Sequence, residues 1–126
     1  MKRIKKIKPF FIDGRGEMNY LIDGEKISSI LLITSKKGAV RANHYHKKDS
    51  HYSYLLSGKM EYTFYDLKAK NKRKKKIIVK KGDLIYTSPM EAHAMKFLED
   101  SDFLALGGKQ RGKGKYEEDL IRIKVI

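Results

Sequence analysis

The residues best suited to chemistry are His44, His46, His51 and His93, three of which fall within eight positions. Neutral imidazole offers a lone pair to a metal ion and exchanges protons near neutral pH. Side chains on a strand alternate between faces, so His44 and His46 point the same way, with Tyr45 opposite. Two imidazoles so placed can share one ion. His51 opens the next strand after the polar Lys47-Lys48-Asp49-Ser50, and His93 follows a turn at Pro89, so both can return to the same level. A lone histidine is usually a surface or satisfied core residue. Four together are different, because buried imidazoles without an ion strain hydrogen bonding and are costly to charge jointly. The residues therefore predict one divalent transition metal ion held by His44, His46, His51 and His93. All-nitrogen ligation suits Zn, Fe, Ni, Co or Cu and disfavours Mg or Ca.

The elements that must position these rings read as strand after strand. Ile27 to Thr34 is apolar and β-branched, Ala39 to His46 is a second run, and His51 to Leu56 is a third. Lys59 to Tyr65 alternates charged and aromatic residues, and Ser57-Gly58 before it marks a hairpin turn. Lys68 to Lys75 has no apolar residue larger than alanine and reads as a solvated hairpin tip. Ile77 to Val79, Leu84 to Thr87, Ala92 to Leu98 and Phe103 to Leu106 re-enter the sheet, and Asp119 to Ile126 is a candidate last strand. His93, Met95 and Phe97 share one face. Gly107 to Gly114 reads as a mobile stretch, and no long stretch carries a helical period. Short strands at steady spacing predict an all-β sandwich or barrel.

At 126 residues the chain suits one domain, 1–126, without linker or repeat. Absence of cysteine excludes disulfides, thiolate metal sites and cysteine nucleophiles. No apolar run approaches a membrane span. The basic start Met1 to Lys6 is not followed by an h-region, so a soluble cytoplasmic protein is expected. The net charge of +14 comes mostly from lysine at the N-terminus, in Lys68 to Lys76 and in Lys109 to Lys115. Such charge invites nucleic acid. The 68–76 tip lacks the aromatics that stack bases, so a solvated lysine-rich surface is the preferred reading.

The spacing resembles the cupin superfamily. Its first motif runs Gly, five residues, His-x-His, three or four residues, Glu, six residues, Gly. Here Gly38, His44-Tyr45-His46, His51 and Gly58 stand in that register, with His51 in place of the glutamate. The second motif, a Gly, a Pro and a His, is similar to Gly82, Pro89 and His93, with Glu91 near where a glycine is common. The resemblance implies a jelly-roll barrel with a small-molecule ligand inside it and a homodimer. Pairing would run through the strand at Ile4 to Phe11 or at Ile121 to Val125. Within the superfamily, Asp13-Gly14-Arg15-Gly16, the Gly38 to Lys48 run and the tail Tyr116 to Arg122 look like cupins acting on nucleotide-linked sugars, the 3,4-ketoisomerases and capsular polysaccharide enzymes among them. That closer likeness implies metal-free catalysis, with His44 and His46 as acid and base and Arg41 near the substrate's phosphates.

The first functional expectation is a metal-dependent enzyme on a carbonyl compound or sugar derivative: an isomerase or epimerase, a hydrolase or a dioxygenase. Its ion would polarise a carbonyl or activate water or dioxygen. The alternatives are metal-free sugar-nucleotide isomerisation by His44 and His46, and a non-catalytic ligand-binding barrel. Tyr52, Tyr54, Tyr62 and Tyr86 are candidates to line the cavity, although a strand tyrosine more often serves packing. Met95 and Phe97 are expected in the cavity wall.

Overall fold

Alternation of apolar and polar residues pairs these runs into strands in a computed structural model that describes residues 4–109, 112 and 118–126. Met1 to Arg3, part of the glycine-rich 107–114 stretch and the Tyr116-Glu117 start of the tail lie outside the described residues. The strands are β1 (Ile4–Lys6), β2 (Phe11–Asp13), β3 (Gly16–Met18), β4 (Ser29–Ser35), β5 (Val40–His46), β6 (His51–Ser57), β7 (Lys59–Asp66), β8 (Lys75–Lys80), β9 (Asp83–Thr87), β10 (Glu91–Phe97), β11 (Ser101–Gly107) and β12 (Leu120–Arg122). They build two five-stranded sheets, in the orders β1-β9-β6-β11-β4 and β12-β5-β10-β7-β8, and a β2–β3 ribbon. This is the all-β, antiparallel jelly roll expected from the sequence.

The space between the sheets is filled from their inner faces. On β7, Met60, Tyr62 and Phe64 are buried on the inner face, Glu61 and Tyr65 are only half-buried, and Thr63 is buried on the other face. Met60, Tyr62 and Phe64 pack with Leu55, Phe97 and Phe103 in the main apolar core. A second, smaller core lies on the opposite face of β10, where Ala92 and Ala94 are covered by Val125 with Tyr45 and Ile123.

Strand register sorts the connections into two ends. The β4–β5, β6–β7, β8–β9 and β10–β11 turns meet at one end, next to Gly58. The β5–β6, β7–β8 and β9–β10 connections meet at the other, next to the histidines.

A β-bulge in β5 aims the histidines. The β10–β5 pairing runs His93↔His44 and then Ala94↔Ala42, which leaves Asn43 as the extra residue. Ala42 and Asn43 have φ of 71° and 52°. Before the bulge Ala39 packs on the core; after it His44 and His46 are buried. Odd positions face inward on one side of Asn43, and even positions on the other. The bulge is held by the C-terminal segment, since Asn43 Oδ1 accepts from Val125 N at 2.9 Å and Ile126 N at 3.1 Å. Those bonds explain why the expected last strand, 119–126, is shortened to Leu120–Arg122: the residues beyond it bond to Asn43 instead of extending a ladder.

The Asp13-Gly14-Arg15-Gly16 run forms the tip of the β2–β3 ribbon. Arg15 Nε and Nη2 both donate to Asp13 Oδ2, at 3.0 and 2.7 Å, and hold that carboxyl below the usual carboxylate range.

Candidate active site

The interior at the histidine end is built across several strands. The rungs His93↔His44 on β10–β5, His93↔Phe64 on β10–β7 and His51↔Thr87 on β6–β9 set it. All four imidazoles are buried. Ring centroids of His44 lie 4.9 Å from His46 and 4.7 Å from His93, and those of His51 lie 5.4 Å from His46 and 5.6 Å from His93.

These rings do not form the expected metal site. Among the described residues, no group of three or more His, Cys, Asp or Glu side chains could hold a metal ion. The contacts the rings do make are of another kind. His44 meets His46 and His93 edge to face, at interplanar angles of 77° and 86°, as aromatic rings pack on one another. Two rings also commit a nitrogen to the protein. His93 Nδ1 lies 3.0 Å from the Glu91 carbonyl, and His46 Nδ1 lies 3.6 Å from Asp119 Oδ2. The metal-dependent function and the Zn, Fe, Ni, Co or Cu cofactor read from the sequence are therefore corrected: the residues present do not fit such an ion.

Those contacts fix tautomers. A carbonyl oxygen only accepts, so His93 Nδ1 carries the proton and donates to Glu91. Asp119 is itself held in place, accepting from Lys48 N at 2.9 Å and Asp49 N at 2.8 Å. Its carboxylate favours a proton on His46 Nδ1, which leaves Nε2 as the basic nitrogen.

A second buried network adjoins the rings. Tyr62 donates to Glu91 Oε2 at 2.6 Å, its oxygen lies 2.7 Å from Thr87 Oγ1, and its ring stacks on His93 at 5.8 Å. Tyr62→Phe removes the hydroxyl these two buried groups share. The expected cost is about 1–3 kcal/mol, read as a lower urea midpoint at unchanged m-value. A midpoint equal to the wild type would show the hydroxyl to be replaceable.

The other sequence candidates are placed differently. Arg41 donates from Nε to Ser35 Oγ at 2.7 Å and from Nη2 to the Thr34 carbonyl at 2.8 Å, towards the Gly58 end of β5. Met95 and Phe97 lie in the apolar core below the histidines. His51, Ser53 and Leu55 take the inner face of β6, which turns Tyr52 and Tyr54 outward. Tyr52 and Tyr86 line a separate concavity of about 230 Å³ with Leu21, Asp23 and Glu25. Burial, then the Glu25 carboxylate bonded to it, pushes the Tyr52 phenol up to about 12. Of the four tyrosines, only Tyr62 reaches the core. Asp119, Glu91 and Thr87 were missed as site residues. Glu91 carried a signal, as an acid two positions before His93 on a strand and so on its face. Asp119 carried none, because it is brought in by a distant pairing, Leu120↔His46.

Similar folds occur in a 3,4-ketoisomerase, QdtA, from Thermoanaerobacterium thermosaccharolyticum in complex with TDP (TM-score 0.72, 23% identity, 97% of this chain and 88% of that one). A 3,4-ketoisomerase from Helicobacter canadensis is also similar (TM-score 0.75, 20% identity, 94% and 88% covered). So is the rmlC epimerase of Mycobacterium tuberculosis (TM-score 0.78, 16% identity, 95% and 67% covered). No curated protein gives a match. Among the described residues no helix is long and apolar enough to cross a membrane. A family model described as the cupin domain matches residues 31–106, the stretch that carries all four histidines, and the chain belongs to that family.

Proposed function

We propose that the chain is a cofactor-independent isomerase or epimerase of nucleotide-linked keto sugars, with His46 and His44 each exchanging protons with the sugar. The observation that carries this reading is the buried His46 imidazole beside Asp119, with the His44 ring 4.9 Å away. The similar folds named as 3,4-ketoisomerases and epimerases support it.

The chemistry needs no electron acceptor. His46 Nε2 takes a proton from the carbon next to a ketone, and the electron pair moves into an enediolate. Reprotonation at the neighbouring carbon, with His44 moving a proton between the two oxygens, transposes the ketone. Delivery of a solvent proton to the other face of the original carbon, while His46 returns its proton to solvent, inverts it. In both cases one C–H bond breaks, one forms, and the catalyst is restored. Arg41, bonded to Ser35 and Thr34, steadies β5 on this reading.

The test is incubation with TDP-4-keto-6-deoxyglucose in D₂O. The expected result is solvent deuterium on a sugar carbon next to the ketone, at a rate unchanged by prior dialysis against EDTA. A sugar that keeps all its carbon-bound hydrogen would end the proposal.

On this reading residues 1–126 form one domain, at work in the cytoplasm as a homodimer. The exposed Phe10, Phe11, Ile12, Met18 and Tyr20 around the β2–β3 ribbon favour pairing, since monomers rarely present so much adjacent apolar surface. Sedimentation equilibrium should give twice 14.6 kDa, and a mass of one chain would refute the dimer.

A further inference from the structure

We propose that Lys75 is the residue that grips the phosphates of an anionic ligand at the mouth of the barrel, a role that rests on the sugar-nucleotide reading above. The register places it there. Lys75 pairs with Phe64, Phe64 with His93, and His93 with His44, one continuous rung across β8, β7, β10 and β5. Neighbouring strands lie about 4.8 Å apart, so Lys75 starts roughly 10 Å from His93, within the span of one sugar and its diphosphate.

The face is fixed as well. Val79 is buried in the core and Ile77 packs against it, so the odd positions of β8 face the barrel interior. Lys75 is the next odd position, the first exposed one, at the histidine end. Its neighbours are engaged elsewhere: Lys74 Nζ donates to the Val125 carbonyl at 2.7 Å, and Lys76 Nζ lies 3.7 Å from Glu61. Among the described residues Lys75 makes no ion pair. It is one of seven cations between Lys68 and Lys76, on a connection that rises at the same end. An ammonium in such a field attracts anions and lowers the local cost of placing a second negative charge. Arg41, by contrast, is spent on Ser35 and Thr34.

The experiment is calorimetric binding of TDP, inorganic pyrophosphate and uncharged thymidine to wild type, Lys75→Gln, Lys70→Gln and Arg122→Gln. All three substituted residues are exposed, and circular dichroism checks that each variant folds. Lys75→Gln is expected to weaken TDP and pyrophosphate about tenfold, the worth of one charge-assisted bond, and to leave thymidine unchanged. Lys70→Gln should change them less than about twofold, and the wild-type affinity should fall with added salt. Equal TDP binding by Lys75→Gln and wild type would overturn the role of Lys75 and leave the isomerase reading standing. The same holds if Arg122→Gln alone weakens TDP. Pyrophosphate binding that depends on Lys75, without TDP binding or turnover, would support the anion grip and defeat the sugar-nucleotide reading. A wild type that binds neither anion overturns the role of Lys75.

Discussion

His46→Asn should cut turnover of a keto-sugar nucleotide by about 10²–10⁴, the range that a positioned general base contributes. The case rests on where the ring sits. Its Nδ1 faces Asp119, whose own position is fixed by the Lys48 and Asp49 amides, so the basic Nε2 is presented without a rotamer search. Asparagine keeps a polar group in the buried site but cannot take a proton near neutral pH. The loss should therefore fall on kcat, with KM little changed, because the missing interaction is made only in the transition state. A variant that turns over within about threefold of the wild type would remove His46 from the chemistry.

Gly58→Ala should destabilise the fold by about 2–4 kcal/mol, combining left-handed strain with a steric clash. Gly58 has φ of 90°, and a Cβ there would stand 2.1 Å from Ser101 Oγ and 2.5 Å from the Asp100 carbonyl. Ser101 has little room to yield: its hydroxyl accepts from Lys59 N at 3.2 Å and donates to the Glu99 carbonyl at 2.8 Å. The β6–β7 and β10–β11 turns are thus locked face to face. Gly82 isolates the two terms, since its φ is 88° but a Cβ would meet nothing within 4 Å. Gly82→Ala should cost only the backbone strain, about 1 kcal/mol. Urea midpoints measure both variants, and equal losses at the two positions would show that the clash at Gly58 relaxes away.

Much of the fold was legible because a strand's alternation is a local property. Lys59 to Tyr65 reads as half-buried from its residue types alone, and Met60, Tyr62 and Phe64 face inward as that pattern requires. Alternation from His51 also turned Tyr52 and Tyr54 outward, a consequence present in the sequence and outweighed by the appeal of aromatic side chains. The ion was misjudged for a different reason. Residue types show that imidazoles can ligate, but not that His93 bonds to the nearby Glu91 carbonyl, that distant Asp119 is brought beside His46, or that the rings pack edge to face.

The spacing of His44, His46, His51 and His93, and the turn residues between their strands, were enough to determine an antiparallel barrel with imidazoles on its strands. The inward aim of His44 was decided only in three dimensions. Strict alternation from Ala39, which packs on the core, would turn His44 to the outer face; the extra residue at Asn43 reverses that parity. The bulge is stabilised by Val125 and Ile126, more than eighty positions away, donating to the Asn43 side chain. A two-residue period is written into neighbouring side chains, whereas the place where that period breaks depends on which distant backbone groups need a hydrogen-bond partner.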